Sequence, residues 1–250
     1  MRFLVALWRI AVTVGLVASG LWQVHVVLPK LDEAGRLARV QAWSVKLLAC
    51  LGVELRVEGA PQAGGVLIVA NHVSWLDIST LHAVAPQLRF VSKAAIAHWP
   101  LVGSLTRAAR TLFIEREKKR DALRVVHEVA GALKDGDTVG VFPEGTTGPG
   151  GSLLPFHANL LQAAIATGVP VQPVVLRYSE PGLPVSIAAQ YIGETTLVGS
   201  LLKVAAARGL VVHVAFLDAE PPGETERRKL AQALQARIAA RLASDLASSA

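Results

Sequence analysis

The stretch NHVSWLD, Asn71 to Asp77, sets a histidine and an aspartate five residues apart with a tryptophan between them. These are side-chain types that carry out acid–base work near neutral pH. On one straight helix the pair would be separated by about 500°, or roughly 140° after whole turns, so the two would lie on different faces. They can meet only across a turn. VLIVA, Val66 to Ala70, is a short apolar run preceded by Gly64 and Gly65 and reads as a buried strand, and WLDISTLHAVA after it reads as a helix. With His72 in the turn and Asp77 in the first turns of the helix, the chain can fold one side chain back toward the other, and Ser74 is the expected N-cap. The plain structural alternative makes Asn71 and His72 turn residues and Asp77 an acid favoured by the helix dipole.

Further polar groups follow apolar runs elsewhere. FPEGTTGPG, Phe142 to Gly150, comes straight off the strand-like TVGVF; TLFIER ends in Glu115-Arg116; VPVQPV, Val169 to Val174, opens another strand. Such ends are where α/β sheets bind ligands, so four segments are expected to share one cleft. Other chemistries find little to use: the sequence has no GxSxG elbow, GxxxxGK[ST] loop or HExxH, and His127-Glu128 reads as ordinary helix surface. Cys50 is the single cysteine, which leaves no disulfide framework and no thiolate metal cluster; neither a metal nor a cofactor is expected. GTTGPGGS, Gly145 to Ser152, is glycine-rich but matches no nucleotide fingerprint.

The elements that must hold these residues are legible from hydrophobic pattern. The chain has 250 residues, 52% of them hydrophobic, which suits a single catalytic domain with a sizeable core. Strands are expected at VELRVEG, Val66–Ala70, Arg89–Ser92, Thr111–Ile114, Thr138–Phe142, Val171–Leu176, Ser186–Ile192 and Leu210–Phe216, with helices between them. That order implies an α/β fold with a mixed, largely parallel central sheet flanked by helices. In RDALRVVHEVAGALK, Leu123, Val126, Val129 and Leu133 form the expected core stripe, and TERRKLAQALQARIAARLASDL is a C-terminal helix.

Phe3 to Leu28 is almost wholly apolar and long enough to cross a bilayer, and LDEAGRLARVQAWSVKLLACLGV adjoins it as a second helical segment. The pair reads as a two-helix membrane anchor over residues 1–52, ahead of a catalytic domain over 53–250. The competing reading is a signal peptide with small residues at Val17 to Gly20, which Arg9 inside the apolar run argues against. The formal charge of +6 suits anionic lipid or an acidic partner protein as well as nucleic acid.

The chain resembles the 1-acylglycerol-3-phosphate acyltransferases and related lysophospholipid acyltransferases. Their NHxxxxD motif is matched by Asn71, His72 and Asp77; a Phe-aliphatic-x-Arg run by Phe113, Ile114, Glu115 and Arg116; FPEGT by Phe142 to Thr146; and VPxxPV by Val169, Pro170, Pro173 and Val174. Order and spacing agree across Asn71 to Val174. The resemblance implies that His72 is a general base for the acceptor hydroxyl, that Asp77 fixes its tautomer, and that the acyl chain passes directly to the acceptor without an acyl-enzyme. Trp75 is expected to pack or to face the membrane.

Arg116 is implied to bind the acceptor's phosphate, with Lys93, Glu144, Gly145, Thr146 and Thr147 at the same site. Two departures bear on the substrate: Arg110 stands where many relatives have glycine, and Thr147 where many have arginine. Arg110 could then supply a replacement cation. The expected acceptor is a lysophospholipid, first of all lysophosphatidate, with a lyso-ornithine lipid as the alternative; the expected donor is acyl-CoA or acyl-carrier protein. The expected setting is the lipid surface at the inner, cytoplasmic face of the plasma membrane, with no nucleic-acid partner. A non-catalytic membrane-binding protein and an esterase are the readings of other classes.

Overall fold

The computed structural model describes residues 2–114, 119–223 and 226–249. Among these, β1 (Val53–Glu58), β2 (Val66–Ala70), β3 (Arg89–Lys93), β4 (Leu112–Ile114), β5 (Thr138–Val141), β6 (Val171–Ser179) and β7 (Leu210–Phe216) form one sheet in the order β1-β7-β6-β2-β5-β3-β4. Pairing is parallel everywhere except between β6 and β7. β2 sits at the centre, with Val69 opposite both Val141 and Pro173. Its unbroken apolar run is explained by burial on both sides: Val66, Ile68 and Ala70 enter one core, Leu67 and Val69 the other.

The first core is covered by α2 (Glu33–Leu51), α3 (Leu76–Val84) and α7 (Leu197–Ala206), the second by α5 (Lys119–Lys134), α6 (Leu161–Thr167) and α8 (Arg227–Ala247). This is the mixed α/β architecture that the alternating pattern implies. β2 leads through α3 to β3 on one side, whereas its neighbour β5 leads through α6 to β6 on the other. The two connections part on opposite faces, so a crevice must open between the C-terminal ends of β2 and β5.

The N-terminal helix α1 (Arg2–Trp22) continues through a π turn and a 3-10 turn to Lys30, and Phe3–Lys30 is long and apolar enough to cross a membrane. It is also tied to the body. Arg9 donates to the carbonyls of Ala205 (3.0 Å) and Ala207 (2.7 Å), capping the end of α7, and the Trp43 indole donates to the carbonyl of Leu16 (3.1 Å). Arg9 therefore has a structural partner inside the apolar run. The expected pair of anchor helices holds in part: α2 is a domain helix whose Leu47, Leu48 and Leu51 lie in the core, while α1 keeps Phe3, Leu4, Trp8 and Val14 exposed.

Two expected elements differ. Ser186–Ile192 is not a strand, because its backbone makes scattered bonds rather than a ladder: Ser186 N–H donates to Tyr178 near the end of β6, and Tyr191 N–H to Val73 in the turn after β2. In α5 the buried residues are Val125, Val129, Ala132 and Leu133: Val129 and Leu133 lie inside as expected, Val126 is partly buried against the same core, and Leu123 is exposed.

Candidate active site

The crevice between β2 and β5 holds the histidine and the aspartate. Asn71 prolongs β2 with its side chain, donating to the Leu176 carbonyl (2.9 Å) and accepting from the Leu176 N–H (2.8 Å). The amide thus copies a strand residue and fixes where the turn begins. His72 follows in that turn, and Asp77 lies in the first turn of α3. Asp77 Oδ2 is 2.7 Å from His72 Nδ1 and also accepts the backbone N–H groups of Val73 (2.7 Å) and Ser74 (2.9 Å). The expected Ser74 cap is replaced by this arrangement: the Ser74 hydroxyl is buried without a partner among the described residues, and the carboxylate satisfies the donors of the turn.

Tyr178, fully buried on β6, donates to the remaining oxygen, Asp77 Oδ1, at 2.7 Å. Burial first, and then the charge of Asp77, push the phenol well above its ordinary range, so it stays a donor. Asp77 is completely buried, while the His72 side chain is 20% exposed. With the Nδ1 proton held by Asp77, the Nε2 lone pair is left for a reactant; Nε2 has no hydrogen-bond partner among the described residues. The imidazole lies flat on Phe142, ring centroids 4.0 Å apart, and Phe142 stacks in turn on Phe90 at 5.6 Å.

The loop after β5 grips the backbone of His72 from both sides. Glu144 Oε1 accepts the His72 N–H (2.9 Å), Glu144 Oε2 accepts the Leu154 N–H (3.0 Å), and the Gly148 N–H donates to the His72 carbonyl (2.7 Å). A side chain at Gly148 would press within 2.9 Å of Glu144, and Gly145 has a φ of 71°, so the loop needs both glycines. Desolvation raises the Glu144 carboxyl, opposed by the two N–H groups. Each of its oxygens accepts a backbone N–H of the site, so Glu144 holds the turn that carries His72.

The other expected site residues divide. Thr147 borders the loop, its hydroxyl donating to the Tyr191 carbonyl, and Thr146 is exposed. Lys93 is exposed at the C-terminal end of β3, beside Ile114. Arg116 lies outside the described residues. VPVQPV runs alongside β2, from Val171 level with Leu67 to Val174 level with Ala70, and β6 makes its side-chain and backbone contacts with the site just beyond, through Leu176 and Tyr178. Arg110 is not a replacement cation for the acceptor, because it pairs with Glu33 (2.7 Å) and Asp137 (3.3 Å) at the opposite end of the sheet, before β5 begins. Tyr178 was the residue that motif reasoning missed. A tyrosine inside the otherwise aliphatic VVLRY is the available signal, since a buried phenol requires a partner.

A buried carboxylate that orients a partly exposed imidazole, with no hydroxyl or thiol hydrogen-bonded to that imidazole among the described residues, suits proton removal from a substrate hydroxyl. A family model described as Acyltransferase matches residues 53–177. A lyso-ornithine lipid O-acyltransferase of Pseudomonas aeruginosa is 40% identical over 243 residues, spanning 95% of this chain and 92% of that protein. A 1-acyl-sn-glycerol-3-phosphate acyltransferase of Neisseria meningitidis is 37% identical over 184 residues, 73% of this chain and 71% of that one. The crystal structure of a 1-acyl-sn-glycerophosphate acyltransferase from Thermotoga maritima shares the fold, with a TM-score of 0.72 at 22% identity over 98% of this chain and 97% of that chain. The chain belongs to the acyltransferase family and is an enzyme of that class.

Proposed function

We propose that the enzyme O-acylates a lysolipid by direct transfer from an acyl thioester. His72 Nε2 takes the acceptor's hydroxyl proton as that oxygen attacks the thioester carbonyl; the C–O ester bond forms, the C–S bond breaks, and the proton passes from the imidazolium to the departing thiolate. Asp77 holds the tautomer and stabilises the imidazolium, and Tyr178 and the N–H groups of Val73 and Ser74 hold Asp77. The observation that carries the reading is the 2.7 Å contact between His72 Nδ1 and the fully buried Asp77, with Nε2 left open. Acyl-CoA or acyl-carrier protein is the donor, and Lys93 and Arg116 are assigned to binding the acceptor's anionic group.

The preferred acceptor is a lyso-ornithine lipid. Two observations move the choice away from lysophosphatidate. The similarity to the Pseudomonas lyso-ornithine enzyme runs nearly end to end. The Thr147 hydroxyl proton is already given to Tyr191, so it is not available to a phosphate oxygen, while the same oxygen can accept from an amide N–H. Lysophosphatidate is the second reading, favoured by the Neisseria relative and by the arginine at position 116. Residues 53–250 form the catalytic body and residues 1–52 the attachment to the cytoplasmic face of the plasma membrane, with α1 in the lipid and α2 shared with the core.

Purified enzyme assayed with lyso-ornithine lipid and with lysophosphatidate, using both donors, tests the acceptor. Turnover on the lyso-ornithine lipid that falls in Thr147→Arg is expected. Lysophosphatidate turnover that the substitution maintains or improves, with no reaction on the aminolipid, would reverse the choice and leave the His72 chemistry intact.

A further inference from the structure

At the end of the sheet opposite His72, the corner where α1 runs into α2 meets α4 (Val102–Ala108) across a groove of about 700 Å³. One wall is apolar: Val24 and Leu28 from the end of the α1 run, Leu37 and Val40 from α2. Guanidinium groups also line the groove, Arg36 on α2 and Arg89, Arg107 and Arg110 across from it. Arg89 and Arg110 are neutralised, both pairing with Asp137 and Arg110 also with Glu33. Arg36 and Arg107 are not: each donates one N–H to a backbone carbonyl, Leu28 and Ala97 respectively, and neither pairs with a carboxylate among the described residues. Both lie exposed on the groove, whose acidic lining side chain, Glu33, is paired with Arg110.

The groove is held open by conformations that ordinarily cost energy. The two non-glycine residues with positive φ among the described residues bracket α4: Leu101 at 65° and Arg110 at 56°. A positive φ at a non-glycine residue persists only where surrounding contacts fix it. At Arg110 those contacts are Glu33 and Asp137, which clamp α4 to α2 and to the head of β5. The walls are therefore fixed relative to one another.

We propose that this groove binds one anionic phospholipid of the membrane, its phosphate on Arg36 and Arg107 and the start of its acyl chain on the Val24, Leu28, Leu37 and Val40 wall. The charge complementarity is that of two cations without a carboxylate partner among the described residues to one phosphate. The place fits the same ligand: the groove lies where the apolar helix ends, next to exposed Trp22 and Leu101, which is the headgroup level for a helix attached to lipid. The site is separate from the catalytic crevice and independent of which acceptor is used.

Full-length protein floated with vesicles tests it. The vesicles are phosphatidylcholine alone or phosphatidylcholine with phosphatidylglycerol, and the proteins are wild type, Arg36→Gln/Arg107→Gln, a charge-matched control Arg227→Gln/Arg228→Gln on α8, and Arg36→Lys/Arg107→Lys. The groove variant should lose about tenfold of the affinity gained from the anionic lipid. It should bind neutral vesicles as wild type does, with the control and the lysine variant close to wild type on both. Equal losses in the groove variant and the control would show diffuse attraction and overturn the proposal. A lysine variant as weak as the glutamine one, or a glutamine variant that loses neutral vesicles equally, would show damage to the α1–α2 corner and overturn it also. Turnover in neutral detergent should be the same in all four proteins.

Discussion

At the end of β2 every carboxylate oxygen meets a named partner: Asp77 takes donors from His72, Val73, Ser74 and Tyr178, and Glu144 takes two backbone N–H groups. The outer side of α1 is the reverse. Phe3, Leu4 and Trp8 are each at least two-thirds exposed, and Arg9 and Trp43 supply the hydrogen bonds that tie the helix to the body. Proton transfer needs a lone pair held to within tenths of an ångström, so the first region is built from directional bonds. Attachment to lipid needs apolar area with no fixed geometry, so the second is built from exposed side chains. A small change in the first region should be expensive, and one of the same size in the second should be graded.

The largest effect should come from breaking the His72–Asp77 pair. His72→Ala removes the base, and Asp77→Asn lets the wrong tautomer form; each should lower turnover by roughly 10²- to 10⁴-fold, measured on purified protein whose membrane binding is unchanged. Near-normal turnover in either would remove the difference between the two regions. Next in size is Tyr178→Phe, which keeps the ring and deletes the donor to Asp77 Oδ1. A hydrogen bond to a charged group contributes about 1.5–3 kcal/mol, so kcat should fall by at least about tenfold with KM little changed. An equal rise in KM, or a loss of folded protein in place of kcat, would make the phenol a packing residue only.

On the α1 side, salt should do little. At about 1 M, where the Debye length is about 3 Å, the intact protein should stay with membranes, because apolar burial is not screened. Trp8→Glu, at a position 70% exposed, should release part of it without lowering turnover in detergent. Release by salt alone would move α1 into the class of charge-dependent contacts.

The smallest expected effect concerns His82, buried beneath Phe90 with Nε2 2.9 Å from the Leu88 carbonyl. Burial lowers its folded pKa, the hydrogen bond partly opposing, while the unfolded value is about 6.5. The folded state then resists taking the proton, so its stability contribution is complete above about pH 6.5 and is lost as pH falls from there through the lowered folded pKa. The melting temperature should drop between pH 7.5 and 5.5, and His82→Gln should show a smaller drop. Equal drops would place the titration elsewhere.

How much of this was legible in the sequence follows the same division. NHxxxxD and FPEGT were readable because directional sites constrain residue type at fixed spacing, and β2 was readable because a strand buried on both sides must be apolar throughout. What escaped depends on the fold bringing distant residues together. Tyr178 lies 101 positions from Asp77, Glu144 turned out to hold the backbone of His72, and Arg110 turned away to Glu33, 77 positions earlier. Ser186–Ile192 had strand-like residues, but its hydrogen bonds go to Tyr178 and the loop at Val73. On α5, Val129 and Leu133 were legible, but Leu123 and Val125 are equally apolar and only packing puts the second inside.

The central claim is that the acceptor hydroxyl is itself the nucleophile, activated by His72. A rapid-quench single turnover with a thioester labelled in its acyl chain tests this most directly, with the label counted in thioester, lipid product and denatured protein at each time. The arrangement at β2 predicts that label leaves the thioester only as it enters the lipid, with none on protein at any time, and that His72→Ala stops both together. Label that accumulates covalently on the protein and then passes to the lipid would contradict it.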